Sequence, residues 1–303
     1  MIDTIRKLTY LLVTFSILIA ACNSGSVKQT ASSKLNVVVT FSVLNDLVQN
    51  VGGDNVKVHT LVRPGLDAHT FEPSPADSKT LAEASLIFEN GLKFEPWLDD
   101  LYTASGASAR RIVVSEGIEP LANEDGELDP HVWHSAVNTI RITENIRDAL
   151  AQADPANAAT YSANADAFIA QLQELDAWIF AEVENLPAER RKLITTHDTF
   201  AYFAERYGFS VIGTLLPTST EGASPSAQEV AQLVEAIKEA NVPAVFAENV
   251  SSNTLLRQVA DEAGVAVTAS LYTDALGPAG SDGDTYLNMM RYNVQTIVTE
   301  LGR

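Results

Sequence analysis

The sequence predicts an α/β protein: two parallel-sheet lobes, each covered by helices, bridged by one long helix. Three observations lead there. Short β-branched apolar runs alternate with helical patterns in the first half of the chain, and the same alternation returns in the second half. Between the halves, residues 156–184 carry helical periodicity alone. Strand–helix alternation is the signature of parallel strands, which cannot be joined by tight turns and need a crossover that covers the sheet.

In the first lobe, placed at 35–153, LNVVVT (35–40) is a strand and residues 42–51 a helix. NVKVHTLV (55–62) is the second strand. Ser74-Pro75-Ala76-Asp77 opens a helix: Ser74 is the N-cap, Pro75 has the fixed φ suited to the first helical position, and Asp77 completes a capping box. SLIFEN (85–90), a helix over 94–105 and the strand RIVVS (111–115) follow. Asp154-Pro155 then breaks the chain. From 156 to 184, Tyr161, Phe168, Leu172, Leu175 and Ile179 recur at intervals of three, four or seven, one face of a helix. A helix of this length is a rod of about 45 Å, and it links the lobes across 154–188. Such a rod limits hinge motion more than flexible strand crossovers do. In the second lobe (189–303), KLITT (192–196), FSVIG (209–213), PAVFAE (243–248) and VAVTAS (265–270) are strands. Its helices fall at Thr199–Tyr207, Pro225–Ala240, 252–263 and Asp284–Leu301.

The first residues are an address. Arg6 and Lys7 precede an apolar run from Leu8 to Ala21, shorter than the roughly 20 apolar residues of a membrane span and of the length of an export signal. Leu18-Ile19-Ala20-Ala21-Cys22 resembles a bacterial lipobox, which implies removal of residues 1–21 and a lipid on Cys22. Small polar residues from Asn23 to Ser33 make a flexible tether. The mature chain is expected to be an extracytoplasmic monomer, lipid-anchored to a bacterial membrane.

Twenty Lys and Arg against thirty-nine Asp and Glu give a net charge of −19. Such a chain repels nucleic acid, and no basic run offers a local exception. Cys22 is the only cysteine, so no intrachain disulfide forms and any transition-metal site must be built from imidazole and carboxylate. In open parallel sheets, ligands bind at the carboxyl ends of the strands. His69 lies in the loop after the second strand, His131 after the fourth, His197 directly after the first strand of the second lobe, and Asp274 after the last. Three neutral imidazoles and one carboxylate, two groups from each lobe, make a four-coordinate set for a divalent first-row metal. His59 sits inside a strand and reads as structural or surface. His134 follows His131 by three, so at a helix start both could face one side, and it is a possible accessory donor. Glu248, at the end of PAVFAE, is a possible orienting partner of a ligand imidazole, or a cap of the next helix.

RPGLDAHTFEPSPAD, LAEASLIFENGLKFEPWL, DPHVW, LITTHDTFAYFAERYGF and SLYTDALGPAG with GDTYLNMMRYN resemble, in the right order, the zinc/manganese-binding solute-binding lipoproteins of ABC importers. The resemblance extends from about Leu35 to Leu301, nearly the whole mature chain. It implies His69, His131, His197 and Asp274 as metal ligands, a long rigid helix bridging the lobes with the metal site in the interlobe cleft, and an ABC permease as partner. It also bears on the metal: Glu is frequent at the third ligand position among manganese members, His among zinc members, and this chain has His197. The Irving–Williams order likewise places zinc above manganese at a nitrogen-rich site. Many zinc members carry a long His-rich acidic loop before the second ligand. Here Gly117 to Pro130 is short and without His, though Glu119, Glu124, Asp125, Glu127 and Asp129 remain as loose cation attractors. The expected function is capture of zinc for a permease, with manganese as the alternative cargo.

Two rivals differ in class. A secreted zinc hydrolase needs three protein ligands, an open position and a general base, with Asp274 or Glu248 recast as that base. No HExxH, nucleophile elbow or Gly-rich phosphate loop is present, and the expectation is that the protein is not an enzyme. A secondary role in adhesion has no distinct module in the sequence. Since imidazole binds metal only when neutral, affinity is expected to fall as pH drops through and below about 6.5.

Overall fold

The structure, a computed structural model, describes residues 34–123, 126–219 and 224–303. The expected export signal, Cys22 and most of the tether lie outside these residues, as do Glu124 and Asp125. Residues 34–303 form one compact unit.

The first half is a four-stranded parallel sheet. β1 (Leu35–Phe41) pairs with β2 (Val56–Val62) on one side and β3 (Leu86–Glu89) on the other, and β4 (Arg110–Val113) pairs with β3, giving the order β2-β1-β3-β4. The run Val37–Phe41 is buried without interruption, as expected of a strand covered on both faces. α1 (Ser42–Gly52) crosses from β1 to β2, α2 (Pro75–Ala82) from β2 to β3, and α3 (Leu98–Ser105) from β3 to β4. The capping box of α2 is present: Ser74 Oγ accepts from Asp77 N–H, and the Asp77 carboxylate accepts from Ser74 N–H. α3 starts four residues later than its sequence pattern. Gly91, Leu92 and Lys93 all have positive φ, so the chain turns there and only becomes helical at Leu98.

Two helices follow. α4 (Ala136–Ala153) occupies the stretch before Asp154, and α5 (Ala158–Glu184) is the long one. α5 buries Tyr161, Ala165, Phe168, Leu172, Leu175, Ile179 and Val183, the face that the spacing predicts. That face packs on α1 and α4 from the first half, and on α6 (Ala201–Tyr207) and the final helix from the second. At its far end Asp176 takes a two-pronged ion pair from Arg206 and a 2.9 Å hydrogen bond from the Tyr207 hydroxyl.

The second half repeats the scheme in outline. β5 (Lys192–His197) pairs with β6 (Ser210–Leu216), and β7 (Ala244–Val245) with β8 (Ala266–Val267), all parallel. A bridge from Thr195 to Phe246 joins the two pairs, so the strands run β6-β5-β7-β8, the order of the first half. α7 (Ala227–Ala240), α8 (Thr254–Ala263) and α9 (Tyr286–Leu301) complete it. β7 and β8 are two residues each where six were expected; beyond Val245 only isolated bridges, at Phe246 and Glu248, continue the pairing. α9 returns to the first half, where Tyr286 N–H donates to Asp46 at 2.9 Å and the Tyr286 hydroxyl to the Trp133 carbonyl at 2.8 Å. No helix among the described residues is long and apolar enough to cross a membrane.

Candidate metal centre

The carboxyl ends of the strands bring four side chains together. His69 stands on the loop after β2, with its backbone N–H donating to Asp67 Oδ1 at 2.8 Å. His131 follows Asp129-Pro130, at the start of a 3₁₀ turn over Val132–His134. His197 is the last residue of β5, and Asp274 comes three residues after the Glu248–Leu271 bridge. Their donor atoms all lie within 4.8 Å of one another. His69 is 2% exposed and the other three are fully buried.

The separations carry the chemistry. His131 Nε2 is 3.2 Å from His69 Nε2 and 3.4 Å from His197 Nε2. Asp274 Oδ2 is 3.2 Å from His197 Nε2 and 3.5 Å from His69 Nε2, and Oδ1 is 3.5 Å from His131 Nε2. Four donors at about 2.0–2.1 Å from one tetrahedral ion stand about 3.3–3.4 Å apart. Neither Asp274 oxygen has a hydrogen bond of good geometry, although both are buried. Buried carboxylate oxygens without donors are costly, and a cation at the centre removes that cost. The residues present therefore fit a divalent metal.

Two carboxylates outside the cluster aim the rings. Asp129 Oδ1 accepts from His131 Nδ1 at 2.7 Å and from His131 N–H at 2.9 Å. Glu248 holds His197 in the same way, one oxygen on its N–H at 2.8 Å and the other on Nδ1. Each contact fixes Nδ1 as the protonated nitrogen and turns Nε2 toward the centre. Glu248 thus contacts both the backbone and the ring of His197. Asp129 is the residue that sequence reasoning missed, grouping it with the loose acidic loop; its position two residues before His131 was the available signal. Glu119 and Glu127 of that loop are exposed. Two aromatic rings wall one side of the centre: the Phe94 ring stands edge-on to His69 at 4.7 Å, and Trp133 to His131 at 5.3 Å.

His134 does not join the cluster. His131 precedes the 3₁₀ turn with ψ of 45°, so the two rings diverge despite their spacing. His134 is buried with its ring 4.6 Å from Phe200 and neither nitrogen partnered, and burial pushes it down to about 3. His59 lies within β2, away from the cluster.

Charge follows geometry. Burial lowers His69 to about 3 despite the pull of Asp274. Burial also opposes a charge on His131 and His197, but Asp274 and Asp129 outweigh it and lift His131 to about 9, while Glu248 and Asp274 hold His197 well above its usual value. Against its own burial, Asp274 is held well below the carboxylate range by His197 and His131.

Most of the chain matches a known family. Residues 37–300 match the family described as zinc-uptake complex component A, periplasmic (ZnuA). The chain belongs to this family. Like the rest of the ZnuA family it is a metal-binding solute-binding protein of ABC importers, a transport protein and not an enzyme. It is 33% identical over 298 residues to the manganese-binding lipoprotein MntA of Halalkalibacterium halodurans, covering 97% of this chain and 98% of that protein. It is 32% identical over 310 residues to the manganese ABC transporter substrate-binding lipoprotein PsaA of Streptococcus pneumoniae, covering 98% and 100%. Among solved structures, the periplasmic zinc binding protein TroA from Treponema pallidum superimposes with a TM-score of 0.85 at 32% identity, covering 89% of this chain and all of that one. The manganese-bound periplasmic metal binding protein from Candidatus Liberibacter asiaticus does so at 0.80 and 30%, covering 88% of this chain and all of that one.

Proposed function

We propose that this protein captures manganese outside the membrane and hands it to an ABC permease, with His69, His131, His197 and Asp274 as the metal ligands and the chain anchored through a lipid on Cys22. The observation that carries metal capture is the convergence of three Nε2 atoms on a buried carboxylate whose oxygens have no other partner. Manganese, in place of the zinc expected from His197, is supported by the names of the relatives MntA and PsaA. The donor set accommodates it. Both Asp274 oxygens face imidazole nitrogens, so a chelating carboxylate brings the donors to five, more than the four a structural zinc site takes.

Zinc remains the second reading, favoured by three imidazoles at tetrahedral spacing and by the name of TroA. By the Irving–Williams order zinc binds such donors more tightly than manganese, so affinity alone does not identify the cargo. The deciding experiment measures accumulation of both metals in cells lacking the chain and in cells with it restored. Restored manganese accumulation, inhibited by added zinc, is the expected result. Restored zinc accumulation with manganese unchanged would overturn the manganese reading.

A further inference from the structure

A cavity of about 430 Å³ opens beside the metal centre, and of the four donor residues only His69 lines it. Leu92, Lys93, Glu127 and Leu128 form its walls on the side of the first half, and Thr218 on the side of the second. The rim at 91–93 is held in an unusual shape. Gly91, Leu92 and Lys93 have φ of 85°, 54° and 64°, a left-handed run that side-chain-bearing residues seldom adopt. The buried Glu95 carboxylate holds it there, accepting from Asn90 N–H at 2.7 Å, Gly91 N–H at 3.2 Å and the Thr40 hydroxyl at 2.6 Å. Asn90 in turn donates through Nδ2 to the Pro130 carbonyl, next to His131, at 2.9 Å. The ring facing the cavity is also the one left untied. His131 and His197 are anchored at Nδ1 by Asp129 and Glu248, whereas His69 Nδ1 has no hydrogen-bond partner.

We propose that this mouth is the route by which the metal reaches and leaves the centre, that His69 is the donor an arriving ion meets first, and that the Glu95-braced rim at Leu92 and Lys93 sets the exchange rate. The inference rests on the metal-binding reading above. The exposed ammonium of Lys93 then stands in the path of a dication and slows its approach.

The test is stopped-flow manganese binding and release into a chelator, on the purified chain. Leu92→Trp narrows the mouth without touching a donor, so association and dissociation are expected to slow together by about tenfold, which is a barrier change. Lys93→Glu is expected to speed association by about three- to tenfold at low salt, with the gain vanishing near 1 M salt. Lys238→Glu makes the same charge change on α7, remote from the mouth, and is expected to leave the rates as they are. Wild-type rates in both mouth variants, or a Lys238→Glu effect equal to that of Lys93→Glu, would overturn the route. Failure of the unaltered chain to bind manganese or zinc would instead overturn the metal-binding reading on which it rests.

Discussion

At the residue scale, the carboxylates around two imidazoles set how metal competes with protons. Three carboxylates, Asp129, Glu248 and Asp274, surround the His131 and His197 imidazoles and, against the pull of burial, raise the affinity of both for protons. Exchange of two protons for one divalent ion conserves the buried charge, which a low-dielectric site favours over a net change. The sign follows: both imidazoles have raised affinity for protons without metal, so metal must compete with protons even at neutral pH. Metal uptake at pH 7 is therefore expected to release protons, and affinity to keep rising with pH toward about 9, not to level off just above the 6.5 of a free imidazole. Calorimetric titration in two buffers of different ionisation enthalpy measures the release. Heats that are independent of buffer would count against it. His69 stands apart, since burial keeps it neutral throughout this range.

At the element scale, the long helix α5 joins the cores of the two halves. Its buried stripe from Tyr161 to Val183 contacts α1, α4, α6 and α9, so a cavity in it weakens packing on both sides. Leu172 is fully buried, and Leu172→Ala is expected to cost about 2–5 kcal/mol. A denaturant series on wild type and variant reads this from the shift in midpoint at unchanged slope; a loss under about 1 kcal/mol would mean that the helix is less integral to the core than its burial implies. The stripe was legible because one-sided burial writes a 3.6-residue period into the sequence. β7 and β8 were overextended for the opposite reason: PAVFAE and VAVTAS are apolar enough for longer strands, but pairing ends where Phe246 and Glu248 make only single bridges. The delayed start of α3 was not legible either, because positive φ at Leu92 and Lys93 has no compositional signal.

At the scale of the whole molecule, four loops from two sheets must be held in register to keep the donor atoms within 4.8 Å of one another. The ties that do so cross between the halves: Trp133 Nε1 donates to the Thr273 carbonyl at 3.0 Å, Leu276 N–H to Ser42 Oγ at 2.9 Å, and the Tyr202 hydroxyl to the Asp129 carbonyl at 2.9 Å. A metal held by both halves adds its binding energy to the native state alone. At free metal of about 100 times the dissociation constant this is about 2.7 kcal/mol, and for a body of this size an upward shift in Tm of about 5–10 °C. Thermal unfolding with manganese, and again after addition of a chelator, is expected to show the shift and its reversal. An unchanged Tm under saturating metal would argue that the four donors do not bind it together.

The sequence by itself determined the α/β class, the repeated strand–helix scheme, the long helix and the four residues that converge, because strand ends, periodicity and scarce histidines are local features. Tertiary structure alone decided which carboxylates serve the centre. Asp129 and Glu119 belong to one acidic stretch, yet only Asp129 is folded against an imidazole. It decided that His134, three residues from His131, packs on Phe200 and stays out of the four-donor cluster. It also decided that His69, and neither His131 nor His197, lines the cavity beside the centre. The reason is physical: orientation, burial and shared electrostatics depend on contacts between residues tens to hundreds of positions apart, and one-dimensional spacing carries no record of them.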